Sequence, residues 1–142
     1  MDSSYTFEII LLVIMIILSG FFSMSETALM SLSKIRIRHM VDENVKGAKL
    51  VENLIEDPNK LLGAILIGNN IVNIGASSLA TSLALKLFGG SDKAVTVVTL
   101  VMTILILIFG EITPKSIAKQ KSENVSLFVS KPIKIESTRL NS

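Results

Sequence analysis

Three uncharged apolar runs, each long enough to cross a lipid bilayer, constrain this chain more than any other feature. Ile9–Ser25, Leu61–Leu85 and Ala94–Gly110 contain no Asp, Glu, Lys or Arg. Each falls in the window of about 17–25 residues that a spanning helix needs. The runs are continuous rather than alternating, which excludes strands of a membrane barrel. A chain that is 49% hydrophobic with a mean hydropathy of +0.60 fits the same class, because a soluble domain of this size must cover itself with polar surface. The expected fold is an all-α membrane protein with spans at about 7–33, 61–85 and 94–119. The third span is expected to continue past Glu111 as a broken or kinked helix, because Pro114 cannot complete the backbone ladder.

The N-terminus reads as an uncleaved first span rather than a signal peptide. Met1-Asp2-Ser3-Ser4-Tyr5 has no positive charge, and the apolar stretch that follows is too long for a signal's apolar core. The lysines and arginines set the orientation. None precedes the first span, whereas Lys34, Arg36, Arg38, Lys46, Lys49 and Lys60 lie between the first and second. Lys115, Lys119, Lys121, Lys131, Lys134 and Arg139 follow the third. The positive-inside rule then puts the N-terminus outside, with the long loop and the tail in the cytoplasm.

Within the long loop, Met40, Val41, Val45, Ala48, Val51, Leu54 and Ile55 recur mostly at spacings of three and four. This predicts amphipathic helix, and a cytoplasmic amphipathic helix pair is expected. Asp57-Pro58 reads as the N-cap and first residue of the next helix. Gly89-Gly90-Ser91-Asp92 reads as a tight exterior turn. The apolar residues scattered over 117–135 suggest a segment lying along the membrane surface. Residues 136–142 read as a polar tail.

Several function classes are excluded by composition. There is no cysteine, hence no disulfide framework and no thiolate metal site. The lone histidine, His39, is read as a surface residue of the loop helix. A net charge of +2 is too small to indicate nucleic-acid binding. No nucleophile–base pair and no phosphate-cradling loop is present, so the chain is read as a non-enzyme.

What remains is the polar groups inside the spans. The first carries Gly20-Phe21-Phe22-Ser23-Met24-Ser25-Glu26-Thr27-Ala28. Gly20, Ser23 and Thr27 share a face, which also suits close helix packing. Glu26 has two readings, deep in the span or snorkelling to its cytoplasmic end. The second carries Gly68-Asn69-Asn70-Ile71-Val72-Asn73. Asn69 and Asn73 are one turn apart on one face, and three Asn beside Gly fit a polar cavity better than a single interhelical hydrogen bond. The third ends in Gly110-Glu111-Ile112-Thr113-Pro114-Lys115. A carboxylate at the centre of a span costs roughly 2.5–3.5 kcal/mol. Glu111 therefore either faces headgroups and pairs with Lys115, at the favourable i,i+4 order, or lines a cavity beside carbonyls freed by Pro114. Hydroxyls, amides, a carboxylate and carbonyls are all hard oxygens, which suit an alkaline-earth or alkali ion.

At these three strings the chain resembles the transmembrane domain of the CorB/CorC–CNNM family of magnesium transport proteins. The resemblance covers about residues 7–135, with 1–135 taken as the domain. It implies a homodimer in the membrane and an inward-facing site for one largely dehydrated Mg²⁺. It implies Mg²⁺ export, coupled to Na⁺ moving inward. It carries the metal site onto Ser23, Asn69, Asn73, Glu111 and the backbone of Gly110, with Ser25, Glu26 and Asn70 as weaker candidates. Members usually have a fourth span after Ser130-Lys131-Pro132-Ile133-Lys134 and cytoplasmic CBS modules that bind nucleotide. Neither is found here, so the chain is expected to be a fragment or a short member. Two rival readings are a Mg²⁺-sensing module that regulates a separate transporter and a plain membrane anchor.

Overall fold

The computed structural model describes residues 3–89 and 92–140, with side chains for 5–89 and 92–135. Seven α-helices and one π-helical segment make up the described residues: α1 (Ser3–Met30), α2 (Lys34–Asp42), α3 (Ala48–Ile55), α4 (Pro58–Phe88), α5 (Asp92–Ile106), the π segment (Leu107–Ile112), α6 (Thr113–Gln120) and α7 (Ser122–Leu140). Among the described residues, three continuous helical stretches are long and apolar enough to cross a membrane: Tyr5–Met30, Pro58–Phe88 and Asp92–Gln120. Their outward faces carry Phe7, Ile10, Ile17, Leu66, Ile74, Leu100 and Ile104, all exposed. A water-soluble chain would not present such a surface.

Local chemistry explains the helix ends. The first helix stops at Met30, short of Ser33, because Ser33 turns extended and caps α2 by accepting from the Arg36 N–H. Asp57 caps α4 as its sequence predicts, accepting from the Lys60 N–H at 3.2 Å, with Pro58 in the first turn. At the other end Gly89 adopts φ +69°, and its N–H returns to the Leu85 carbonyl. A left-handed residue of this kind ends a helix at little cost only when it is glycine. Gly90 and Ser91 of the predicted exterior turn lie outside the described residues.

The loop periodicity runs without interruption through 40–55, but the backbone does not. Asn44 (φ 60°) and Gly47 (φ 86°) both sit in the left-handed region and divide the stretch into α2 and α3. Met40, Ala48, Val51, Leu54 and Ile55 are buried all the same. His39 is exposed and pairs with Glu43 at 3.0 Å.

The segment 117–135 does not simply lie along a membrane surface. Helix α7 folds back and packs against α1, α3 and α4. Val125, Val129 and Ile133 recur every four residues and are buried. Ser126 and Ser130 are buried on the same helix and let it approach closely. Arg36 of α2 clips α7 through Glu123 at 3.1 Å. That hydrogen bond and charge raise the guanidinium pKa further above its ordinary value.

Two apolar cores result. The larger joins Ala28 and Leu29 of α1 to α2, α3, Leu61, Ile65, Ala118 and α7. The smaller joins Leu12 to Ala76, Ala80 and Leu83, with Met102 and Ile106 of α5 packed on it. Between them α1 meets the π segment and α6 with almost no clearance. A Cβ at Gly20 would lie 3.1 Å from the Phe109 carbonyl oxygen and 3.1 Å from Pro114 Cγ. At Gly63 it would meet nothing within 4 Å.

Gly20→Ala is therefore expected to destabilise the protein by about 1–3 kcal/mol, as overpacking does. Gly63→Ala should be neutral or stabilising by up to about 1 kcal/mol. Thermal unfolding of the two variants in detergent, measured side by side, checks both.

Candidate functional site

The layer between the two cores is polar, and Ser19 stands at its centre. Ser19 is 1% exposed. Its hydroxyl donates to Asn73 Oδ1 at 2.8 Å and lies 3.5 Å from Asn69 Oδ1. The two amides are one turn apart on α4, so a single hydroxyl from α1 reaches both. On its other side Ser19 touches the third span. A Cβ at Gly110 would come within 3.0 Å of Ser19 Oγ, so only glycine permits this approach. One side chain thus joins all three membrane-length helices.

Ser23 lies one turn further along α1. It is 1% exposed, and its Oγ is buried with no hydrogen-bond partner. In a membrane span a serine hydroxyl ordinarily bonds back to a carbonyl of its own helix or across to a neighbour. A buried hydroxyl that does neither keeps its hydrogen-bonding capacity uncommitted, as the Ser126 hydroxyl of α7 also does.

The π segment brings the third span into this layer. Pro114 has no N–H for the carbonyl of Gly110 or of Phe109, the two that an α or a π step would pair with it. The helix re-registers instead, and the Thr113 N–H bonds to the Ile108 carbonyl. The predicted break is therefore a local widening within a continuous helical path. Such π-bulges often occur at functional positions.

Glu111 follows directly. Its side chain is 26% exposed and lies 3.3 Å from Lys115 Nζ. The pairing foreseen for an interfacial carboxylate thus forms, one residue from the Gly110–Ser19 contact. The structure brings Asn69, Asn73 and Gly110 together through Ser19, with Ser23 one turn away. The weaker candidates stand apart. Ser25 is buried but donates to the Phe21 carbonyl at 2.7 Å. Asn70 is exposed. Glu26 is partly exposed and forms no ion pair among the described residues.

Ser19 itself was not singled out by the sequence. Its signal was present: Ser19 and Ser23 are four apart, matching the spacing of Asn69 and Asn73 on the facing helix. Among the described residues no group of three His, Cys, Asp or Glu could hold a metal. An ion in this layer would meet neutral oxygens and one nearby carboxylate, a weak-field set suited to a hard cation that must also leave.

The family profile described as CNNM, the cyclin M transmembrane N-terminal domain, matches residues 10–140. The chain belongs to the CNNM family. It is similar to a UPF0053 protein of Haemophilus influenzae, 46% identical over 121 residues that cover 85% of this chain and 28% of the relative. The UPF0053 inner membrane protein YfjD of Escherichia coli is 43% identical over 121 residues, 83% of this chain and 28% of its own length. A chloroplastic DUF21 domain-containing protein of Arabidopsis thaliana is 36% identical over 124 residues, 87% of this chain and 18% of its own length. The chain thus spans less than a third of the length of these curated relatives. As a CNNM domain it is a multi-pass membrane unit and not a catalytic one.

The Ser19–Asn73 contact can be measured directly. A double-mutant cycle on Ser19→Ala and Asn73→Ala, read by thermal unfolding in detergent, is expected to give a coupling of about 0.6–1.7 kcal/mol, the range for hydrogen bonds between membrane helices.

Proposed function

We propose that this CNNM domain carries Mg²⁺ out of the cytoplasm, driven by inward movement of Na⁺. The site is formed by Ser23, Asn69, Asn73, Glu111 and the backbone of Gly110, with Ser19 added from the geometry above. The observation that carries this reading is the buried, unpartnered Ser23 hydroxyl one turn from the Ser19–Asn73 contact. It adds an uncommitted oxygen to a layer where three helices already converge.

The chemistry follows from the donors. Mg²⁺ demands near-octahedral oxygen ligands at about 2.0–2.1 Å and gives up its waters reluctantly. Neutral hydroxyl and amide oxygens replace some of those waters, and one carboxylate supplies fixed charge. Ser19 and Asn73 now satisfy each other. For the amide oxygen to turn to a cation, the Ser19 hydroxyl must rotate off it, which lowers the energy difference between filled and empty states. Lys115 acts similarly at Glu111: its ammonium holds the carboxylate until a cation displaces it.

Direction is an energetic matter. Moving one charge against 100 mV costs about 2.3 kcal/mol, so Mg²⁺ export costs roughly 4.6 kcal/mol before any gradient. Inward movement of two Na⁺ cancels that electrical term. In this reading the N-terminus is outside and the basic α2–α3 region and α7 are cytoplasmic. The working unit is a homodimer. No residue of helix α5 is fully buried within the chain, and apart from the side that packs through Met102 and Ile106 it leaves a long apolar face for lipid or a second copy.

Mg²⁺ at about one hundred times its dissociation constant should stabilise the protein by about 2.7 kcal/mol. Glu111→Gln should abolish that stabilisation, and Ser23→Ala should weaken it. Unaltered stabilisation in Glu111→Gln would defeat the site. Lys115→Met, by freeing Glu111, should tighten Mg²⁺ binding, read as a larger thermal shift at the same Mg²⁺ concentration. Flux into liposomes with a Mg²⁺ dye tests transport itself. Flux appearing only beside a second transporter would instead mark a sensing module.

A further inference from the structure

The two ends of the α1–α4 contact are chemically opposite. On one side of the Ser19 layer stand Glu26, seven residues along α1, and Glu111, next to Gly110, both partly exposed. On the other side the α1–α4 contact is apolar and close-packed. Met15 packs so tightly on Gly75 that a Cβ there would lie 3.0 Å from its Cε and 3.1 Å from its Sδ. Beyond it Leu12, Ala76, Ala80 and Leu83 form the smaller core. Beyond that, Glu8 of α1 forms an ion pair with Lys86 of α4.

The layers lie in register. Ser19 meets Asn73 and Glu8 meets Lys86, so the helices run antiparallel and are pinned at both points. Eleven residues separate Glu8 from Ser19 and thirteen separate Asn73 from Lys86. At 1.5 Å per residue the plugged stretch is roughly 16–20 Å long, over half of a hydrocarbon core of about 30 Å. The Glu8 side chain is 16% exposed and its Oε2 is buried without a partner. Lys86 therefore supplies the counter-charge to an otherwise poorly solvated carboxylate. Removing it leaves that carboxylate unpaired, and water must then enter to solvate it.

We propose that Met15 on Gly75 and the Leu12–Leu83 cluster form an apolar plug, and that Glu8–Lys86 is the ionic latch holding it shut. Together they close the polar layer from the end of the molecule that carries Lys93. This deepens the transport reading and rests on it: a transport site reached from the side of its two partly exposed acidic residues needs a barrier on the far side that can part. Helix α5 completes the seal through Met102 and Ile106.

The chain has no cysteine, so an introduced thiol reports alone. Ala76→Cys, buried at 1% exposure, is treated with a membrane-impermeant thiol reagent from either side of sealed vesicles. Lys93→Cys and Lys34→Cys, both at exposed positions, mark the two sides. Ala80→Cys serves as a second probe should Ala76→Cys fold poorly. In the parent, the plug thiol should label far more slowly than Lys93→Cys. Glu8→Gln or Lys86→Gln should raise its labelling from the Lys93 side on the order of tenfold, a population shift in the closed state. The charge-swapped pair Glu8→Lys with Lys86→Glu should return it to the parent rate. Parent-like labelling in both single variants, or a swapped pair as accessible as the singles, overturns the latch. Labelling needs no metal, so a failure of Mg²⁺ to stabilise the protein would defeat the ion site and leave this result standing by itself.

Discussion

At Ser19 a single side chain touches all three membrane-length helices, and much of the structure depends on how close that contact is. Its hydroxyl bonds the Asn73 amide of α4, while its Oγ lies against the bare Cα of Gly110. In hydrocarbon no water competes for such groups, so the polar atoms of one helix must find those of another. The contact fixes the axial register of α1 against α4. It also holds the π segment against α1, where Gly20 meets Phe109 and Pro114 with no room for a methyl group. Small residues at Gly20, Ser19 and Gly110 make this approach possible. Dispersion and hydrogen bonding do the work that hydrophobic burial does in a soluble core.

The two apolar cores then have different roles. The larger one is built like the core of a soluble protein. Amphipathic α2, α3 and α7 gather around the ends of α1 and α4 and bury Ile37, Val51, Val129 and Ile133 almost completely. It anchors the assembly at one end of the spans, aided by the Arg36–Glu123 clip. The smaller one lies within the spans and is thinner, relying on Leu12, Leu83 and two alanines. A thin core between antiparallel helices separates more readily than a thick one.

Much of this could be read from the sequence because lipid simplifies the problem. Uncharged runs of fixed length have one solution, the spanning helix, and the described residues contain three helices long and apolar enough for it. Asp57-Pro58 announced its cap, and Glu111 and Lys115 announced their pairing by an i,i+4 spacing. Other features were not local. The expected amphipathic helix pair forms, but the position of its break was not legible: the run 40–55 keeps a helical period through it, because the break is set by the left-handed backbone at Asn44 and Gly47 and not by apolarity. The packing of α7 depends on a partner surface that no periodicity within α7 describes. Ser19 was one of several serines in its span, and only its neighbours distinguish it.

The sequence by itself determined the class of fold, which runs form membrane-length helices and the kind of atoms available along them. Those follow from hydropathy, from backbone chemistry and from the donors that side chains carry. Tertiary structure decided which of those atoms meet. It set Ser19 between Asn73 and Gly110, left the Ser23 hydroxyl without a partner, and turned Ser25 back onto its own helix. The physical reason is that a hydroxyl's role depends on what lies within about 3 Å of it, and in a helical membrane protein that distance is fixed by the rotation and register of separate helices, which no single helix encodes.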